Sequence, residues 1–304
     1  MGSAPVGERG TAMRFTLMLS RGEYRDFLAI AQAAEASGWT SITIPDSLFF
    51  PQTTVSRYPY ADTDNIRQYI AATPFIEPFI AMSWMAAVTT TLRFYPAVMK
   101  VPVRQPLVLA KALSSLAVIS GNRVSLGAGL SPWREDFSYN GLDFEKRGRL
   151  MDECIEILRA AMSGGYFEFH SQNYDIGPIK LNPVPDRPVP ILYGGHSKAA
   201  LARAARLCDG WISANADTDT LKAMIGQLTA LRERYGTLGR PDFEIHVMDV
   251  TAGTADDYRR LADLGATDMV AGFASEGQEM IDNVRRFGEK IIAKLGAPGA
   301  SQPS

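Results

Sequence analysis

Short apolar runs alternate along this chain with longer stretches in which apolar residues fall at helical spacing. "RFTLML" (Arg14 to Leu19) reads as a buried strand, and "EYRDFLAIAQAAEASG" places apolar side chains three and four apart until Gly38 stops it. "TSITIP" is a second strand, "LRFYPAVMKVPV" a third and "VSLGAGL" a fourth. "VPILY", "GWISA", "FEIHVMDV" and "TDMVAGF" continue the series to eight. Helical patterns lie between and after them: an apolar one opened by Pro74, one after Pro106, then Glu145 to Met162, Ser197 to Cys208, Thr218 to Tyr235, Ala255 to Leu264 and Gly277 to Leu295.

Strict alternation of strand and helix implies parallel strands joined by right-handed crossovers. Eight such units favour closure into a (β/α)8 TIM barrel over an open doubly wound sheet. Two insertions interrupt the pattern. Asp46 to Thr73, after the second strand, carries Phe49, Phe50, Tyr58, Tyr60 and Tyr69 among polar residues and is too long for a routine connector, so it reads as a lid. "YFEFHSQNYDI", before the fifth strand, reads as a small hairpin. Residues 13–296 form one domain in this reading, between flexible tails at 1–12 and 297–304.

Composition narrows the partners. With 31 basic and 33 acidic residues the formal charge is −2, which gives no field for nucleic acid or an anionic membrane. No apolar run reaches the ~20 residues of a membrane span and no signal peptide is evident, so a cytoplasmic protein is expected. Cys154 and Cys208, both within helical patterns, are expected as free thiols.

In a barrel the chemistry sits at the C-terminal ends of the strands, from Leu19–Gly22 at the first to Asp249–Thr251 and Ala271–Ala274 at the last two. Gly127-Ala128-Gly129 is half a dinucleotide fingerprint, but Pro132 stands where the third glycine belongs. Those glycines either let a flat ring lie against the strand end or allow close packing. Asp46 and Ser47 follow the second strand, where Asp46 either orients a cofactor or caps the loop. Trp133 and Glu135 follow the fourth strand, as the wall and the acid of a pocket or as parts of an ordinary loop. His170 and His246 read as structural from their hairpin and strand positions, whereas His196 stands at a strand end. Phosphate-loop, zinc-protease and paired-cysteine motifs are missing from the sequence.

"YGGHSKAA" admits two chemistries. Gly195-x-Ser197-x-Ala199 is a degenerate nucleophile elbow, but a serine hydrolase needs a downstream histidine, and only His246 in mid-strand is available. An anion cradle asks less: Gly194 and Gly195 end a strand, Ser197 caps the next helix, and Lys198 adds a cation in its first turn.

Four segments together resemble the bacterial luciferase-like family, in particular its branch of probable F420-dependent oxidoreductases: "ASGWTSITIPDS", "RFYPAVMKVPVRQPLVLAKALSSLAVISGNRVSLGAGLSPW", "EKRGRLMDECIEIL" and "PVPILYGGHSKAALARAARLCDGWI". The resemblance implies a TIM barrel that holds F420 or, alternatively, FMN. The cofactor phosphate would meet the amides of Gly194, Gly195 and Ser197, beside His196. A non-proline cis peptide would lie behind the ring at Ala97-Val98. Asp46, Gly127 and Gly129 fall among the implied cofactor contacts. Relatives often carry Asp-His after the second strand, and this chain has Asp46-Ser47, which leaves Ser47, Glu135 and His196 as candidates for proton transfer. The implied activity is hydride transfer between a deazaflavin and a small organic substrate. The alternative is a monooxygenase using reduced FMN from a separate reductase, and outside enzymology a silent cofactor-binding barrel. A homodimer is expected, with Phe75 to Val88 as the candidate surface.

Overall fold

A computed structural model describes residues 13–20, 24–240, 242–249 and 251–295. The expected tails at 1–12 and 297–304 lie outside the described residues, as do residues 21, 22 and 250 at two strand ends.

The strands are β1 (Arg14–Met18), β2 (Ser41–Ile44), β3 (Arg93–Pro96), β4 (Met99–Lys100), β5 (Leu126–Gly129), β6 (Tyr166–His170), β7 (Asp175–Lys180), β8 (Ile191–Gly194), β9 (Gly210–Ile212), β10 (Glu244–Val247) and β11 (Asp268–Gly272). Nine of them form one sheet in the order β3-β2-β1-β11-β10-β9-β8-β5-β4. The outermost two, β3 and β4, are consecutive pieces of the expected third strand. β3 pairs in parallel with β2, β4 with β5, and a bridge joins Phe94 to Val124 just before β5. The sheet therefore closes through its own backbone at Ala97–Val98, and eight parallel strands make the barrel. β6 and β7 form the separate antiparallel hairpin before β8.

The helices are α1 (Phe27–Ala36), α2 (Thr63–Ala72), α3 (Pro78–Ala86), α4 (Pro106–Ile119), α5 (Arg134–Ser138), α6 (Arg147–Ala161), α7 (Lys198–Leu207), α8 (Thr218–Arg234), α9 (Ala255–Asp263), α10 (Gly277–Phe287) and α11 (Ala293–Leu295). Three differ from the sequence pattern for local reasons. The helix expected from Pro74 starts at Pro78, where the missing N–H costs nothing and the Glu77 carboxylate caps the Ile80 amide. The lid segment holds α2, capped by Asp62 on Asn65 N. None of its residues is buried, so no apolar stripe announces it; Arg67 ties it to the Pro51 and Gln52 carbonyls. The last helix widens into a π turn over Gly288–Ile292, at the point where a Cβ on Gly288 would lie 2.5 Å from the Ser37 carbonyl oxygen.

The main core lies between sheet and helices, with Phe15, Leu17, Ile42 and Phe94 from the strands against Ile30, Met82, Leu113 and Met280. At the strand starts the interior is polar instead. Arg14 grips Asp268 through two nitrogens at 2.9 and 2.6 Å, Arg93 pairs with Glu244 at 2.9 Å, and His246 bonds Glu244 at 2.7 Å and the Tyr95 hydroxyl at 2.9 Å. This network plugs the base of the barrel. Glu244, His246 and Asp268 also lie close enough together to suit a metal, but the two guanidiniums already supply the opposite charge there. Cys154 and Cys208 are buried free thiols, and burial pushes them up to about 11 and about 12. Among the described residues, no helix is long and apolar enough to cross a membrane.

Candidate active site

At the opposite end of the barrel the backbone bulges inward. The Ala97–Val98 peptide is cis, and Val98 packs with Ala97 against buried Tyr95, Leu192 and Ile212. Three glycines leave the room. A Cβ on Gly127 would lie 1.8 Å from the Pro96 carbonyl oxygen, one on Gly129 would lie 2.2 Å from Val98 Cγ2, and one on Gly194 would lie 2.6 Å from Val98 Cγ1. Gly127 and Gly129 thus do not offer open backbone to a flat ring: the bulge fills their space, and Val98 is the surface presented.

The β8–α7 turn is built tightly. Gly195 has φ of +135°, a conformation L side chains rarely adopt, and a Cβ there would press on Ala200 Cβ at 3.0 Å. Trp211 Nε1 donates to the Gly195 carbonyl at 2.9 Å. Ser197 Oγ accepts from Ala200 N at 3.1 Å and so caps α7. The expected set of anion-binding amides shifts along the chain. Gly195 N–H donates to the Ile212 carbonyl, while the amides of Ser197, Lys198 and Ala199 have no acceptor among the described residues. His196 Nε2 accepts from Ala214 N at 2.8 Å, and burial pushes the ring's pKa down. Its lone pair is committed, so Nε2 carries no proton to give.

Other candidates are bound elsewhere. Asp46 takes both Arg104 nitrogens at 2.8 Å and the Lys100 amide at 2.9 Å, and its side chain is 1% exposed. It locks β2 to the loop after β4 and has no free face for a cofactor, contrary to expectation. Ser47 Oγ donates weakly to the Phe49 carbonyl at 3.4 Å, within its own turn. Glu135 accepts from Thr54 Oγ1 at 2.9 Å, so it fastens the lid. The lid is held further by Ser56 Oγ accepting from Arg134 N at 3.0 Å and by Tyr58 stacked on Trp133 at 6.2 Å. Tyr58 meets Tyr60, Tyr60 meets His196, and His196 meets Trp211, so a row of aromatic rings runs across the barrel mouth.

A family model described as luciferase-like monooxygenase matches residues 9–297. The chain belongs to the luciferase-like monooxygenase family. An uncharacterised protein of Mycobacterium tuberculosis (strain H37Rv) is 44% identical over 292 residues, covering 93% of this chain and all of that protein. The solved structures share the fold at lower identity. The coenzyme F420 dependent tetrahydromethanopterin reductase of Methanopyrus kandleri superposes with TM-score 0.73 at 13% identity, over 94% of this chain and 100% of that one. Monooxygenase RslO1 of Streptomyces bottropensis does so with TM-score 0.71 at 16% identity, over 93% and 100%.

The hydrolase reading finds no support here. Ser197 Oγ is a helix cap, His196 Nε2 faces the Ala214 amide, and His246 lies in the basal plug bonded to Tyr95 and Glu244. No triad assembles among the described residues. The turn does fit the phosphorylated cofactor of a luciferase-like enzyme, since a Cβ would fill it at Gly195 and its free polar groups are donors. Missed from the sequence were Lys100 and Asp136, which pair at 2.7 Å beneath the mouth, and Arg104. Their one available signal was a Lys and an Arg four apart in an otherwise apolar stretch after the third strand.

Proposed function

We propose that this chain is an F420-dependent oxidoreductase that moves a hydride between the deazaflavin and a small organic substrate. One observation carries the reading: the donor-rich turn at Ser197–Ala199 and the apolar Val98 bulge stand on neighbouring elements of one barrel mouth. The amides of Ser197, Lys198 and Ala199, with the Lys198 ammonium beside them, hold the phosphate at the positive end of α7. Val98, backed by Tyr95, Leu192 and Ile212, supports the ring, and the lid aromatics exclude water. When bound, the coenzyme supplies the hydride chemistry.

The protein's own acids favour hydride transfer without strong proton help. His196 has its lone pair on Ala214 N, Glu135 is tied to Thr54, and Ser47 turns to Phe49. The likeness to an F420-dependent reductase supports the same reading. The second reading, an FMN monooxygenase fed by a partner reductase, is favoured by the likeness to RslO1, because the same turn would take the FMN phosphate. We infer in addition a homodimer through the outer face of α3, where Ile80 and Trp84 are 66% and 43% exposed.

Titration with F420 and with FMN, followed by quenching of Trp fluorescence, tests the assignment, because Trp211 and Trp133 both flank the site. Tighter binding of F420, with no reduced-flavin-dependent oxygen uptake, is the expected result. Tight FMN binding with such uptake selects the second reading, and binding of neither rejects both.

A further inference from the structure

The lid meets the α7 turn through one polar group. The Tyr60 hydroxyl lies against the backbone of that turn: a Cβ on Gly195 would sit 3.4 Å from its oxygen. The ring of Tyr60 packs edge-on against His196, with centroids 4.9 Å apart. The phenol's own proton meets no acceptor among the described residues. Burial raises the phenol's pKa, so at neutral pH that proton stays in place. The same turn carries the unpaired amides of Ser197, Lys198 and Ala199. These unpaired amides and the phenol O–H are donors, a set that an anion can complete.

We propose that Tyr60 is a ligand of the coenzyme phosphate carried by the lid, its O–H completing the donor set of the α7 turn. The inference rests on the coenzyme reading above. It makes phosphate binding and lid closure one event, because the segment that carries Tyr60 is the one stitched to Glu135, Arg134 and Trp133. The hydroxyl would donate to the phosphate, a charge-assisted hydrogen bond added to those of the turn's amides.

The test compares wild type with Tyr60→Phe, which keeps the ring and its packing. Each is titrated with whichever of FMN and F420 binds wild type, and with the same chromophore lacking its phosphate (riboflavin for FMN). Loss of a charge-assisted hydrogen bond should weaken the phosphorylated form about tenfold in Tyr60→Phe and leave the dephosphorylated form unchanged. Trypsin provides a second readout, since Arg57 is exposed in the lid. The phosphorylated coenzyme should slow cleavage there in wild type and fail to do so in Tyr60→Phe. Equal affinity in the two proteins overturns the inference and leaves the coenzyme reading intact. Tighter binding by Tyr60→Phe overturns it too, showing that the phenol competes with phosphate for the turn. A wild type that binds neither coenzyme removes the coenzyme reading and this inference with it.

Discussion

Val98 occupies the space that a side chain at Gly129 would need, its Cγ2 lying 2.2 Å from where that Cβ would be. Gly129→Ala should therefore overpack the barrel mouth, costing about 1–3 kcal/mol of stability and displacing the bulge that backs the ring. The clash is mainly with methyl groups, so Val98→Ala added to Gly129→Ala should recover part of the lost thermal stability. A Gly129→Ala protein as stable as wild type would show that Val98 is not fixed in place.

Arg104 is the only guanidinium on Asp46 among the described residues, and the carboxylate it serves is buried. Arg104→Met should leave that charge without its partner and cost about 3–5 kcal/mol in urea unfolding. Arg104→Lys should restore only part of it, because an ammonium cannot make the two parallel bonds. Full stability in Arg104→Met would mean that the Lys100 amide alone satisfies Asp46.

The basal plug should set an acid limit on stability. Burial alone would push the Glu244 carboxyl up, but the His246 hydrogen bond and the charges of Arg93 and Arg14 outweigh it and hold it at about 2, against an ordinary 4.5. Asp268 is lowered against the same burial penalty by His246 and Arg14. A carboxyl more acidic when folded than when unfolded contributes stability that is complete above the unfolded value and vanishes as pH falls through the folded one. The melting temperature should thus fall as pH drops from 4.5 towards 2. Glu244→Gln should melt lower at neutral pH and lose less on acidification; an unchanged acid limb would assign it to other carboxyls.

Ile80 and Trp84, one helical turn apart on α3, face outward near the 69%-exposed Val108 of α4. Sedimentation at micromolar concentration should give a dimer, and Trp84→Glu should give a monomer with unchanged secondary structure. A monomeric wild type contradicts the dimer outright.

The barrel was legible because its strands, buried along most of their length, read as short apolar runs, while most helices bury one side and so carry a helical period. Helix α2 was not, since a helix with no buried residue writes no period into the chain; polar contacts such as its Asp62 cap, the Arg67 carbonyl bonds and the Tyr69 hydroxyl on the Ser20 carbonyl hold it. The glycines at 127, 129 and 194 were visible as residues that something approaches closely. What approaches, the Pro96 carbonyl at Gly127 and Val98 at Gly129 and Gly194, comes from a segment some thirty or more positions away, and sequence spacing carries no record of such distances. The same limit hid the partners of Asp46, Glu135 and His196. Each was placed rightly at a strand end, but its partner (Arg104, Thr54 or the Ala214 amide) is supplied by another part of the ring.

The two cysteines turn the folded chain into its own gauge of integrity. With both sulfurs sealed in the core and held as neutral thiols, an alkylating reagent at neutral pH finds nothing to attack until the barrel opens. Label incorporated at Cys154 and Cys208 then counts opened molecules. Because Cys154 sits on α6 and Cys208 just after α7, on adjoining sectors of the wall, comparing their rates tells whether those sectors open together or one at a time.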